Sequence, residues 1–201
     1  EFIPAGDIDS PSPRIFTITE VDPGKHYAIV ISTNGGLWRY LIGDTVIFTS
    51  TKPYRIKISG RTRHFINAFG EELIIDNAIK ALKTACEKTG AIIHEYTAGP
   101  IYMGDKTSGA HQWLIEFEKE PDNMERFTEY LDNALKTLNS DYEAKRYKNT
   151  VLGAPVIVSL KTGTFYQWMK ERGKLGGQHK VPSLSNHREY IEQLLAIHNQ
   201  A

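Results

Sequence analysis

Three side chains in this sequence stand where their chemistry can be used. Asp44 closes the run Tyr40-Leu41-Ile42-Gly43-Asp44, at what reads as a turn between two strands. A carboxylate held by rigid strands yet exposed at a tip can accept two hydrogen bonds from vicinal hydroxyls, as on a ribose. A Gly-Asp pair is equally an ordinary turn, and both readings stand. Arg61 follows Ser59-Gly60, where the character of the chain changes. The glycine supplies free backbone angles for a hinge, and the guanidinium is a planar donor fork for phosphate, ribose or carboxylate. A linker glycine beside a surface arginine is the plainer account. Lys180 lies in Gly173-Lys174-Leu175-Gly176-Gly177-Gln178-His179-Lys180-Val181-Pro182, a glycine-rich basic loop after a helix. Such a lysine is a mobile point charge for an anion presented from elsewhere, with Pro182 stiffening the chain behind it. The spacing is not that of a phosphate-cradling GxxxxGK[ST] loop, and a plain flexible loop remains the alternative.

Other residues invite chemistry less. Glu71 and Glu72 follow Phe69-Gly70 and open a predicted helix, where acidic side chains in the first turn complement the helix dipole without forming a site. The seven histidines show no spacing that puts two ligands on one helical face, and one cysteine cannot complete a thiolate cluster, so no metal site is expected. No Gly-x-Ser-x-Gly occurs, and Cys86 falls on the apolar stripe of the same helix, which suits core packing.

The elements that must position these groups change type near residue 60. Up to there, apolar runs at 14–21, 26–32, 37–42, 45–49 and 54–59 alternate with Gly, Pro, Asn and Asp, the pattern of antiparallel strands joined by tight turns. Beyond Gly60, Leu73, Ile74, Asn77, Ala78, Ala81, Leu82 and Ala85 recur at spacings of three and four, which predicts a helix over 71–88 ended by Gly90. Strands at 92–97 and 111–118 flank a turn-rich stretch at 99–109. Helices follow at 123–138 and 142–147, then a strand at 155–160 and helices at 164–172 and 188–197. The fold class is α+β: an antiparallel β segment over residues 1–59, then a mixed-sheet domain flanked by helices over 60–201.

Composition narrows the partners. The 201 residues carry 24 basic and 24 acidic side chains, with six of each in the first sixty. Neither half is a charged tail, so nucleic acid and anionic membrane surfaces lose their main electrostatic attraction. No apolar run approaches the roughly 18 residues of a membrane span, and no leader pattern opens the chain. A single cysteine fits a reducing compartment, with the cytoplasm as the expected location. Glu1-Phe2-Ile3-Pro4, without an initiating Met, reads as the interior of a longer protein, so a fragment is expected.

Taken in order, the pieces are specific: a strand ending in Tyr-x-x-Gly-Asp, Gly-Arg at a domain junction, Gly-Glu opening a helix, and a near-C-terminal loop with Lys-x-Pro. This order resembles the adenylate-forming enzymes, and within them the auxin-responsive Gretchen Hagen family of acyl-acid amido synthetases. The resembling stretches are Glu1-Phe2-Ile3-Pro4, residues 36–46, Gly163-Thr164-Phe165 with its helix, and Gln178-His179-Lys180-Val181-Pro182. The resemblance runs over nearly the whole chain and is similar to the C-terminal third of such an enzyme, with 1–59 as the end of the large adenylation domain and 60–201 as the small mobile domain. It implies that Asp44 binds the ribose of ATP, that Arg61 approaches the nucleotide beside the hinge, and that Lys180 acts on the acyl-phosphate region. The implied cofactors are ATP and Mg²⁺. The implied substrates are a carboxylic acid, activated as its acyl-adenylate, and an amine, usually of an amino acid. This chain departs from plant members at Glu71-Glu72, where they commonly carry a lysine, and at Ser183, where they carry an arginine. The family's phosphate loop and acyl pocket lie upstream of these residues, so the 201 residues alone are expected to be inactive. Two other readings remain: transfer of the acyl group to a thiol such as coenzyme A, and a noncatalytic ligand-binding or interaction module.

Overall fold

A computed structural model describes residues 1–200 except 9, 63, 64, 105–107 and 177–179; of Arg61 it describes the backbone. The chain divides into two compact units, Glu1–Phe65 with Ile74–Asp76, and Ile66–Leu73 with Asn77–Ala201. The fold is α+β, with an antiparallel sheet in the first unit and a mixed sheet with helices in the second.

In the first unit, strands β1 (Phe2–Pro4), β2 (His26–Ile31), β3 (Tyr40–Thr51) and β4 (Tyr54–Arg61) form an antiparallel sheet in that order. The sequence of β2 is apolar without alternation because both of its faces are covered. Tyr27 joins Val21, Val46 and Phe48 in one cluster, with Phe2, Phe16 and Ile29 against it. Ala28 and Val30 join Ile3 in another, backed by Ile8 and Ile15. Phe2 meets Phe48 edge to face with ring centroids 5.1 Å apart, the favoured geometry for such pairs.

Two expectations fail here. The run 14–21 is not a strand: only Phe16 pairs, exchanging two 2.8 Å backbone bonds with Phe2, and the chain then turns. Glu20 forces that turn by accepting from the Thr17 amide (2.8 Å) and hydroxyl (2.7 Å). Nor is there a tight turn at Gly43-Asp44. One strand, β3, runs through both residues, and Gly43 takes φ +91° within it. Against β2 the register moves from Ala28↔Thr45 to Val30↔Leu41, so β3 carries extra residues in a bulge. A bulge needs the same left-handed glycine that a turn needs, so residue type could not separate the two.

In the second unit, β7 (Ile92–Ile101) pairs antiparallel with β8 (Ala110–Lys119), and β9 (Val156–Leu160) pairs parallel with β8. The central strand β8 is buried on both faces. Leu114 packs with Phe165, Trp168 and Met169 of α4 (Thr164–Glu171) and with Ile191 and Leu194 of α5 (Glu189–Gln200). On the alternate face, Phe117 meets Phe127 of α2 (Met124–Leu138) at 5.6 Å, edge to face. Among the same strand's residues Glu116 is buried and polar, and it accepts from the Gly163 (2.8 Å) and Phe165 (3.3 Å) amides, so its carboxylate caps the start of α4.

Helix α2 begins where Asn123 accepts from the Arg126 amide (2.8 Å), and Asn139 caps α3 (Ser140–Arg146) by accepting from Tyr142 (2.8 Å). The two helices are locked by Asp132. Its carboxylate accepts from Arg146 at both oxygens (2.7 Å each), from the Tyr142 hydroxyl (2.8 Å) and from Lys136 (2.6 Å). Burial alone raises this carboxyl, but the donors from Arg146, Lys136 and Tyr142 more than reverse it, so its pKa lies below the ordinary value. A depressed carboxyl adds stability above its unfolded pKa and loses it as pH falls through the folded value. Asp132→Asn is therefore expected to destabilise the chain by about 2 kcal/mol at neutral pH, the scale of hydrogen bonds to a charged group. The gap between variant and parent in urea midpoint should begin to narrow below about pH 4, where the unfolded carboxyl protonates, and go on shrinking as pH falls through the lower folded value. A gap that is constant from pH 7 to pH 2.5 would refute the assignment.

Helix α1 spans Ile75–Thr89, not 71–88. Leu73–Ile74 forms instead a short strand, β6, paired with β5 (Phe65–Ile66). Two contacts prevent the earlier start. Glu72 has φ +39°, in the left-handed region, and the carbonyls of Glu71 and Glu72 accept from Asn139 Nδ2 at 2.9 and 3.1 Å rather than from amides one turn ahead.

Candidate functional site

Asp44 and Arg61 are seventeen residues apart in sequence and are register partners on β3 and β4. Cross-strand partners have Cα atoms on the order of 5 Å apart. The pairing is anchored on one side by Thr62, whose amide (2.9 Å) and hydroxyl (3.4 Å) donate to the Gly43 carbonyl. On the other side Thr45 faces Gly60, and Ser59 Oγ lies 3.2 Å from Thr45 Oγ1. Register shifts between Thr45 and Val46, where β4 carries the extra residue. Asp44 is half-buried. It sits within a bulged strand, not at an exposed tip. The Arg61 side chain lies outside the described residues.

Lys180 belongs to the second unit, on the segment between α4 and α5, and its side chain is exposed. The segment behind it is not loose. Val181 is buried in the cluster of α4 and α5. The Pro182 carbonyl accepts from Thr97 Oγ1 (2.6 Å), the Ser183 carbonyl accepts from the Ala98 amide (2.9 Å), and the Ser185 amide donates to the Ala98 carbonyl (3.0 Å). Residues 182–185 thus run along β7, with Leu184 bridged to Ala98 in parallel sense. Lys180 therefore projects from a fixed root. Gln178 and His179 of the same motif lie outside the described residues. Beside Lys180 is a cleft of about 510 Å³, bounded by α4, the start of β7 and residues 174–176, 180, 181 and 183.

A third constellation was not expected. Glu71 and His111 are both fully buried, with His111 Nε2 2.7 Å from Glu71 Oε1. The other oxygen accepts from the Phe69 amide at 2.7 Å. His111 lies between the rings of Phe69 (6.3 Å) and Tyr142 (5.6 Å). Its Nδ1 is buried without a partner among the described residues. A bare acceptor is tolerated better than a bare buried N–H, which places the proton on Nε2, donated to Glu71. The turn before Glu71 is tied down as well: the Asn67 amide donates to Asn186 Oδ1 (2.6 Å), and the Glu72 amide donates to Asn67 Oδ1 (3.1 Å). The acidic pair expected to decorate a helix terminus is instead split, with Glu71 turned inward as the anchor of residues 67–73. Forty residues separate Glu71 from His111, and no local pattern announces such a pair.

Among the described residues no group of three or more His, Cys, Asp and Glu could hold a metal ion. Among them also, no helix is long and apolar enough to cross a membrane.

Comparison with known proteins adds the following. The family model described as "GH3 family central domain" matches residues 1–61, and that described as "GH3 family C-terminal domain" matches residues 76–189. The chain is 26% identical over 207 residues to indole-3-acetic acid-amido synthetase GH3.3 of Arabidopsis thaliana, covering 96% of this chain and 34% of that protein. It is 24% identical over 215 residues to indole-3-acetic acid-amido synthetase GH3.8 of Oryza sativa subsp. indica, again 96% of this chain and 34% of the relative. The chain thus spans about a third of the length of the curated relatives it matches. Among solved structures it superposes on GH3.15 acyl acid amido synthetase with a TM-score of 0.66 at 21% identity, over 98% of this chain and 36% of the other. A complex described as AtGH3.15 acyl acid amido synthetase with 2,4-DB gives a TM-score of 0.64 at 20% identity and the same coverage.

Proposed function

The chain belongs to the GH3 family, and on that premise we propose that it is the C-terminal part of an ATP-dependent acyl-acid amido synthetase. The full protein activates a small carboxylic acid as its acyl-adenylate, releasing pyrophosphate, and passes the acyl group to an amine, that of an amino acid. Residues 1–59 are the end of its large adenylation domain and 60–201 its small mobile domain. The cytoplasm is its compartment.

The observation that carries this reading is the register pairing of Asp44 with Arg61, since a carboxylate and a guanidinium rooted opposite each other on two strands suit one polar ligand. Asp44 accepts from the ribose hydroxyls of ATP, and Arg61 donates to the same nucleotide. Lys180 places its ammonium against the charge that develops on the α-phosphate as the carboxylate attacks. Mg²⁺ would reach the site with the nucleotide and would supply positive charge for the pyrophosphate, since among the described residues no group of His, Cys, Asp and Glu is assembled to hold it. The exposed apolar side chains of the first unit support a covering segment from the rest of the protein: Trp38 is 83% exposed, Ile58 69% and Ile56 53%.

The test supplies the longer protein containing this chain with ATP, Mg²⁺ and a panel of carboxylic acids. Pyrophosphate release that depends on the acid is expected, followed by an amide when amino acids are added and no thioester when coenzyme A is added. The 201 residues alone should release none. A thioester product would move the protein to the acyl-CoA ligases, and absence of acid-dependent pyrophosphate release across the panel would leave the noncatalytic binding module.

A further inference from the structure

Residues 180–185 are held by contacts of two kinds. Val181 and Leu184 are buried apolar side chains, and such non-directional contacts resist withdrawal better than sliding. The ladder to β7 is a single parallel bridge at Ala98, whose amide donates to the Ser183 carbonyl (2.9 Å) and whose carbonyl accepts from the Ser185 amide (3.0 Å). Backbone bonds carry no residue identity. A slip of two residues would keep their pattern and each side chain's face, yet move Lys180 by about 6–7 Å, at roughly 3.3 Å of rise per residue. One polar side chain marks the register. Thr97 on β7 is 1% exposed, and its hydroxyl donates to the Pro182 carbonyl at 2.6 Å, its one side-chain hydrogen bond among the described residues. Valine has the same branched shape and suits a strand as well, so packing alone does not account for a hydroxyl here.

The path from that bond to the ammonium is short and stiff. Proline locks its own φ and confines the residue before it to extended geometry. With the Pro182 carbonyl pinned, Val181 keeps little freedom, and the Cα of Lys180 is set two residues away. We propose that Thr97 is a positioning residue: its hydroxyl fixes the register of residues 182–185 on β7 and thereby aims the Lys180 ammonium. Thr97 acts through Lys180 and not on a reacting atom. The inference rests on the adenylation reading for what Lys180 does, and adds a buried side chain on which that role depends.

The experiment is a double-mutant cycle in the longer protein, read as acid-dependent pyrophosphate release. Thr97→Val removes the hydroxyl and keeps the shape. Its kcat is expected to fall about tenfold, inside the loss that a misplacement of about 1 Å can cause, with KM for ATP unchanged. Thr97→Ser keeps the hydroxyl and should hold the parent rate. In the Lys180→Ala background Thr97→Val should change little, because no ammonium is left to aim, whereas a merely structural role would lower both backgrounds alike. Amide hydrogen exchange on the same proteins gives a readout apart from activity: the Ala98 and Ser185 amides should exchange about tenfold faster in Thr97→Val, the scale of one hydrogen bond, and as in the parent in Thr97→Ser. Pro182→Ala keeps the carbonyl but frees its φ, so it should also lower kcat, and it serves if Thr97→Val disturbs folding. An unchanged kcat for Thr97→Val or for Pro182→Ala, an equal loss in both backgrounds, or unchanged exchange at both amides would each overturn the proposal. The two readings fail separately. Lys180→Ala at the parent rate removes the adenylation role, with faster exchange in Thr97→Val still marking the clamp, whereas a slow Lys180→Ala beside a Thr97→Val at the parent rate removes the clamp alone.

Discussion

Lys180→Ala in the longer protein is expected to slow acid-dependent pyrophosphate release on the order of 100-fold, the typical loss when one charge-stabilising group is removed from a transition state. The structure makes this a chemical test. The side chain is exposed, and its root is held by Val181 in the core and by the Pro182 and Ser183 carbonyls on β7, none of which the substitution touches. Folding of the variant should therefore match the parent, with the same urea midpoint, and the deficit should lie in kcat, not in binding of ATP. Lys180→Arg keeps the charge but spreads it over a planar fork, so partial recovery is expected. An unchanged rate for Lys180→Ala would remove the residue from the adenylation step.

The second large effect is on stability. Glu71→Ala should destabilise the chain by about 2–5 kcal/mol, because it strips two buried donors of their acceptor. The carboxylate serves two buried donors, the Phe69 amide and His111 Nε2, and its loss leaves both unpaired where no water reaches them. Each orphaned donor costs about 1–3 kcal/mol. Glu71→Gln should cost less, because the amide oxygen still accepts from Phe69 while its NH₂ opposes the Nε2 proton of His111. Urea unfolding of the single variants and of Glu71→Ala with His111→Ala gives the coupling, which should be well short of additive. A loss under about 1 kcal/mol for Glu71→Ala would show that residues 67–73 do not depend on this pair.

Much of this protein is visible in its sequence. Apolar spacing located α2, α4, α5 and β8 to within a few residues, because each has one or two faces that must be dry and the period of those faces is local information. Asp44, Arg61 and Lys180 were singled out by residue type and neighbours, and the ligand roles given to them are proposals. What went astray was of one kind. The run 14–21 is as apolar as a strand, yet Glu20 closes it into a turn after one bridge. Gly43 announces a positive φ, but only its neighbours β2 and β4 make that a bulge inside one long strand. Leu73 and Ile74 fit the helical stripe, yet Asn139, far along the chain, takes the carbonyls that a helix would need.

By itself the sequence determined the α+β class and the change of character near Gly60. Those properties follow from periodicity and residue type, which neighbouring residues express without help. Tertiary structure alone decided that Asp44 and Arg61 share a register position and that Glu71 turns inward to His111. Strand register and buried polar pairs are agreements between residues here 17 and 40 positions apart, and no local pattern carries them.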